Sequence, residues 1–175
     1  MIAQRVLDHL QQARISFRRH RHPRAVGAQP TAAALHVSGY QVAKVVLVEA
    51  DGQPWVAVLS APDVVNTRRL GSVLGKRNAH LMSEAEFTQL FPDCQPGAEP
   101  PLGSLYGLPV ALDLALARED RICFPAGSHD ESLELRTEDF MALERPRVGA
   151  FADEAHAVRS SGAVRMAEHA GALGG

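Results

Sequence analysis

The chain is poor in the residues that most often announce a function. Its two cysteines, Cys94 and Cys123, lie far apart without CxxC spacing, so neither a disulfide framework nor a zinc site is implied. Free thiols in a reducing compartment are the simpler reading. No run approaches the ~18 apolar residues that a membrane span needs, and the opening stretch MIAQRVLDHLQQARI lacks the apolar block of a signal peptide. These absences predict a cytoplasmic protein with no membrane partner. A formal net charge of -2 over 175 residues gives no overall basic field of the kind that marks a nucleic-acid binder; a local basic patch stays open, and no DNA partner is expected. No GxGxxG or GxxxxGK[ST] turn, no HExxH and no convincing Ser-His-Asp order or paired-carboxylate signature is present.

What is there suits one soluble domain: 46% of the residues are apolar, enough for a single sizeable core. Residues 1–150 are expected to fold. Residues 151–175, rich in Ala, Gly and Ser, are expected to form a mobile tail. Ile2, Val6, Leu7 and Leu10 share one helical face. ISFRRHRH (15–22) alternates weakly, as an edge strand does, and QPTAAALHV (29–37) suits a short helix with Pro30 near its start. Strands 42–50 and 55–60 flank Asp51-Gly52, a hairpin signal. A helix capped by Asp63 should end near Gly71 or Gly75. AHLM reads as a short strand, and Ser83 with Glu86 forms a capping box. Residues 92–109, dense in Pro and Gly, read as loop. PVALDLAL, RICFPAG and SLELR read as strands, and Thr137 as the cap of a last helix. This order lacks a regular β-α-β-α alternation. It predicts an α+β class with a mixed, barrel-like sheet and short surrounding helices.

Three places carry candidate chemistry. Lys44 shares a strand face with Val42, Val46 and Val48. It either snorkels from an edge or faces a polar substrate across an apolar wall. PGAEPPLG is either a connecting loop or a glycine-permitted loop aiming N–H groups of Gly97, Ala98, Glu99, Leu102 or Gly103 at an ester oxygen. AGSH by itself reads as a turn with an exposed histidine, in which Gly127 would allow close backbone approach. His129 there could orient a substrate or a water. The basic run RRHRH places Arg18, His20 and His22 on one strand face and Arg19 and Arg21 on the other. With Arg14 and Arg24 it is equally a phosphate contact or a solvated edge, and no Cys or Asp completes a metal set around His20 and His22. Arg68, Arg69, Lys76 and Arg77 form a second basic cluster, and Asp113 reads as structural.

These segments coincide with one family. VAKVVLV resembles the lysine strand of the YbaK-like aminoacyl-tRNA deacylases, relatives of the editing domain inserted in bacterial prolyl-tRNA synthetases. PGAEPPLG resembles their GxxxP loop, with Gly97 and Pro101 as its ends, and FPAGSHDESLELRTEDF resembles their terminal G-(S/T)-H segment. The ordered set, with a short helix before the loop, is far more specific than any one motif, and it covers roughly residues 1–148.

The resemblance implies the editing-domain fold and a hydrolase that removes a small amino acid, such as alanine or cysteine on proline tRNA, from mischarged aminoacyl-tRNA. It implies catalytic roles for Lys44, Gly97, Pro101, Gly127 and His129, and substrate binding by Ser128, Ala98, Gly103 and Leu102. Val37, Leu59 and Leu105 are weaker pocket candidates. The mechanism it implies needs no metal, no cofactor and no covalent nucleophile, and the terminal adenosine's own hydroxyl assists, which accounts for the missing protein general base. The partners implied are the 3' CCA end of aminoacyl-tRNA and an aminoacyl-tRNA synthetase. A catalytically inactive binding module and a protein-interaction domain of the same fold remain the alternatives.

Overall fold

The alternation of faces along one hairpin organises the molecule. In the computed structural model, which describes residues 2–155, β2 (Ala43–Ala50) and β3 (Gln53–Ser60) pair antiparallel from Ala43↔Ser60 to Ala50↔Gln53. Asp51 and Gly52 both adopt positive φ (51 and 79°), as a tight right-twisting hairpin requires. Ala43 and Leu47 point into the main core with Val56 and Val58. Val48 and Ala50 point the other way, into a second cluster with Ala57, Leu59, Leu70 and Phe151. Both faces of this sheet are therefore covered.

Before the hairpin, α1 (Gln4–Gln12) buries Val6 and Leu10. β1 (Phe17–Arg21) and α2 (Ala28–Leu35) follow. After it come β4 (Val64–Val65), α3 (Thr67–Leu74), β5 (His80–Leu81) and α4 (Glu84–Leu90), the last with the expected Ser83–Glu86 capping box. The Pro/Gly-rich loop carries one 3-10 turn, Gly103–Tyr106, and leads to β6 (Val110–Asp113) and α5 (Leu114–Ala117). Then come β7 (Arg121–Pro125), β8 (Glu131–Arg136), α6 (Thr137–Glu144), β9 (Arg147–Gly149) and β10 (Ala152–Asp153).

The strands form a five-stranded sheet, β5-β2-β3-β6-β9, a three-stranded sheet, β1-β8-β7, and the pair β10-β4. β3-β6 and β6-β9 are parallel and the other ladders antiparallel, so the class is mixed α+β as expected. The sheets meet at one parallel bridge, Val42↔Cys123, and do not close into a barrel.

Three local expectations are corrected. Asp63 does not cap α3. Asn66 does, its side chain accepting from the Arg69 N–H at 3.0 Å, because Val64–Val65 is drawn into pairing with Ala152–Asp153. Thr137 is the first residue of α6 rather than its cap; its N–H is taken by the Asp120 carbonyl. PVALDLAL is strand only to Asp113, whose carboxylate caps α5 through the Ala115 N–H. Of the segment expected as a tail, Phe151 is fully buried and 152–153 is β10. Residues 156–175 lie outside the described residues.

Candidate active site

Lys44 sits at the start of β2, half-buried, and its Nζ donates to the Asp63 carbonyl oxygen. Burial pushes its pKa down, opposed by the charge of Asp63. An ammonium has three donors, so one backbone bond leaves two to be aimed elsewhere. The Asp63 carboxyl is pushed up, first by burial and then by Asp113, while Lys44 pulls it down.

The loop and the turn are joined by main-chain bonds. Gln95 N–H donates to the Gly127 carbonyl at 2.9 Å, and Gly127 N–H donates to the Ala98 carbonyl at 2.8 Å. His129 N–H donates to Gln95 Oε1 at 3.2 Å, and Ala25 N–H clamps the turn from its far side through the His129 carbonyl at 2.9 Å. Segments some thirty residues apart thus form one rigid rim.

Between this rim, the start of β2, the entry to α2 and one face of α4 lies a cavity of about 480 Å³, within the range of small-molecule sites. Val26, Lys44, Phe87, Thr88, Gly97 and Glu99 are among its lining residues. Gly97 has φ +85°, and a Cβ there would stand 3.5 Å from His129 Cε1. The His129 ring is buried directly behind that glycine, with Nδ1 lacking a hydrogen-bond partner.

The structure brings Lys44, Gly97 and His129 together in this way, and sets the other candidates back from the cavity. The Ala98 and Gly127 N–H groups are spent on Gln95 and on Ala98 itself. Pro101 is buried, and Leu102 belongs to the main core. Gly103 packs where a Cβ would meet the Leu108 carbonyl oxygen and Val110 at 2.6 Å. Ser128 is buried beside the Asp130 carboxyl, whose pKa it holds down, yet its Oγ makes no hydrogen bond of normal geometry. Leu59 is in the second core cluster, Leu105 packs on the main one and Val37 on a third.

The basic run is consumed by its own sheet. Arg18 and His20 meet Glu134 at 3.7 and 3.0 Å, Arg19 and Arg21 meet Glu131 at 3.3 and 3.2 Å, and His22 bonds Ser132 Oγ. In the second cluster Arg69 pairs with Asp153.

Gly127 has φ +105°, and an added Cβ would fall 3.1 Å from Ala3 Cβ and 3.2 Å from Ala3 N. Gly127→Ala should therefore lose about 1–3 kcal/mol of stability, measured by urea unfolding. An unchanged midpoint would show that the turn relaxes freely.

The residue that sequence reasoning used only as an amide donor is Glu99. Its side chain lines the cavity at 7% exposure, and Oε1 accepts the Gly97 N–H at 3.0 Å. Burial pushes its pKa up. The available signal was a charge in an apolar, proline-flanked stretch, the same signal as Lys44 among valines. An acid with a raised folded pKa binds more protons folded than unfolded between the two pKa values. Its contribution to stability therefore falls as pH rises through that window. Relative to Glu99→Gln, the native chain should lose stability from acid pH upward to its folded pKa and run parallel above it, with a slope of at most about 1.4 kcal/mol per pH unit. Parallel melting curves throughout would show that Glu99 titrates as in water.

This chain is similar to known proteins in sequence over part of its length and in fold over most of it. A 94-residue stretch, 53% of the chain, is 34% identical to the "Multifunctional Ser/Thr-tRNA deacylase ProXp-y" of Escherichia coli (strain K12), and the same match is made to the protein of that name from Escherichia coli O157:H7. The match spans about half of those relatives, 56% of their length. Among solved structures, a candidate trans-editing enzyme for prolyl tRNA synthetase superposes with a TM-score of 0.74 at 17% identity, over 86% of this chain and 96% of the other. A hypothetical protein superposes at 0.76 and 17% identity, over 85% and 99%. At those identities the superpositions show the fold. The family model of the aminoacyl-tRNA editing domain matches residues 22–143, a span that contains Lys44, the Gly97–Pro101 loop and the Gly127–His129 turn, and the chain belongs to that family.

Proposed function

We propose that the protein acts in trans as a deacylase, hydrolysing the ester bond of a mischarged aminoacyl-tRNA bearing a small amino acid. The observation that carries this reading is the cavity itself. One wall holds a half-buried lysine and the other a glycine at positive φ backed by a buried histidine. In this reading Lys44 holds the phosphate or ribose oxygens of the terminal adenosine as a point charge. Gly97 lets the acyl group lie against the loop backbone, and His129 supports that wall. Water attacks the carbonyl, with the terminal ribose hydroxyl assisting. Pro101, Leu102, Gly103, Ala98, Gly127 and Ser128 serve by fixing the loop and the turn. The working unit in this proposal is the expected 1–150 domain extended through Phe151 and β10.

Selectivity would come from volume, since a small cavity rejects the larger correct residue more readily than a smaller one. Alanine and cysteine on proline tRNA are candidate substrates. The name of the E. coli relative adds serine and threonine. Association with tRNA should be weak and salt-dependent, because the clustered arginines of β1 are neutralised within the fold.

The test is a deacylation panel: the purified chain with tRNAs charged with alanine, cysteine, serine, threonine or proline. Rapid release of one or two small residues, with the cognate pair spared, is the expected result. Hydrolysis of no member above buffer would remove the deacylase reading and favour a binding module.

A further inference from the structure

Among the described residues two glutamates are almost fully buried, and they are treated differently. Glu131, 5% exposed, is met by Arg19, Arg21 and the Ile2 N–H. Glu99, 7% exposed, receives the Gly97 N–H. Among the described residues the cationic side chains pair with Asp93, Glu131, Glu134, Asp153, Glu49 and Glu138, and no ion pair reaches Glu99. Lys44 lines the same cavity, but its ammonium donates to the Asp63 carbonyl. The Glu99 N–H is a second backbone donor, but a buried carboxylate held only by two amides still has lone pairs to fill, and leaving such a charge without a cation is costly. Because Glu99 lines an open cavity, the missing cation can come from a ligand.

We infer that the Glu99 carboxylate is the receptor for the α-ammonium group of the aminoacyl moiety. The inference rests on the deacylase reading and adds to it a specificity element. The ligand has the matching polarity. Its nucleotide end is anionic and goes to Lys44, while its acyl end carries an amine one carbon from the ester carbonyl. An α-amino group with a pKa of about 7.7–8.0 is largely protonated at neutral pH. The Gly97 N–H fixes Oε1 of the carboxylate, and Glu99 lines the cavity. Glu99 thus selects esters of α-amino acids over isosteric esters that lack the charge, whatever the amino-acid side chain.

The experiment is a binding titration of the full chain with two stable amides of 3'-amino-3'-deoxyadenosine, one bearing L-alanyl and the other L-lactoyl. These differ only in ammonium against hydroxyl. The native protein should bind the alanyl probe about tenfold or more tightly, the scale of one charge-assisted hydrogen bond. Glu99→Gln keeps an acceptor for the Gly97 N–H. It should bring the two affinities to within about twofold by weakening the alanyl probe alone. Equal binding of both probes by the native protein, equal weakening of both by the substitution, or no binding of either would overturn the inference. The native comparison needs no variant, so misfolding cannot mask the answer. Discrimination without any hydrolysis in the deacylation panel would sink the deacylase reading and leave this inference standing. Hydrolysis without discrimination would do the reverse.

Discussion

Lys44→Ala should lower kcat/KM for the hydrolysed aminoacyl-tRNA by about a hundredfold or more, on the scale of removing one preorganised electrostatic contact, while leaving stability nearly unchanged. The two halves of that expectation have one cause. Burial pushes the Lys44 pKa down more than the Asp63 charge raises it, so the charged ammonium is a net burden on the folded state. Truncation relieves that burden and offsets the packing lost with the aliphatic stem. A purely structural lysine would behave in the opposite way, with activity following stability down. Lys44→Arg should rescue poorly. A planar guanidinium cannot sit as a compact charge beside the Asp63 carbonyl. Lys44 is also one of two lysines in a chain with 18 Lys and Arg residues, so an arginine-rich sequence keeps lysine at this place. Steady-state kinetics of the three proteins, paired with their melting curves, decides the matter. Native-like turnover by the alanine variant would make Lys44 a structural residue.

What was legible in the sequence was what is local. Asp51-Gly52 specifies its hairpin because only a positive-φ pair closes it, and Ser83-x-x-Glu86 specifies a helix start because the two side chains satisfy each other. The misreadings all come from partners far along the chain. Asp63 and Asn66 are both good capping residues, three positions apart. The choice falls to Asn66 because its N–H donates to the Phe151 carbonyl at 2.8 Å and its side chain reaches Asp153. Thr137 gives up the cap position because its N–H is drawn to the Asp120 carbonyl at 3.0 Å, and it becomes the first residue of α6.

The site divides in the same way. Lys44 and Gly97 carry signals of their own, a charge among valines and a glycine in a proline-rich loop. Phe87, Thr88 and Val26 line the cavity only because the fold folds α4 and the entry to α2 over the start of β2. Nothing in their own neighbourhoods says so. The loop's amides looked like free donors in the sequence. The structure spends the Ala98 N–H on the Gln95 carbonyl within the loop and the Gly127 N–H on the Ala98 carbonyl, which joins turn to loop, so their contribution is rigidity.

Asp113 shows how far a buried carboxylate's reach extends beyond the element it caps, and Asp113→Ala should lose about 3–4 kcal/mol on unfolding. One carboxylate oxygen accepts the Ala115 N–H at 3.0 Å and starts α5. The other accepts the Phe151 and Ala152 N–H groups at 2.8 and 2.9 Å. Those two bonds hold the fully buried Phe151 in the second core cluster and β10 against β4. Alanine would leave buried amides without partners and loosen the strand pair that sets the start of α3. Asp113→Asn keeps one good acceptor and should lose roughly half as much. A consequence follows for the site. Burial and then the Asp113 charge raise the Asp63 carboxyl, and Asp63 holds Lys44 through its carbonyl. Both Asp113 variants should therefore lower the Asp63 pKa, readable by carboxyl-carbon NMR on the asparagine protein. If instead Asp113→Asn were fully stable and inactive, Asp113 would belong to the chemistry and not to the frame around it.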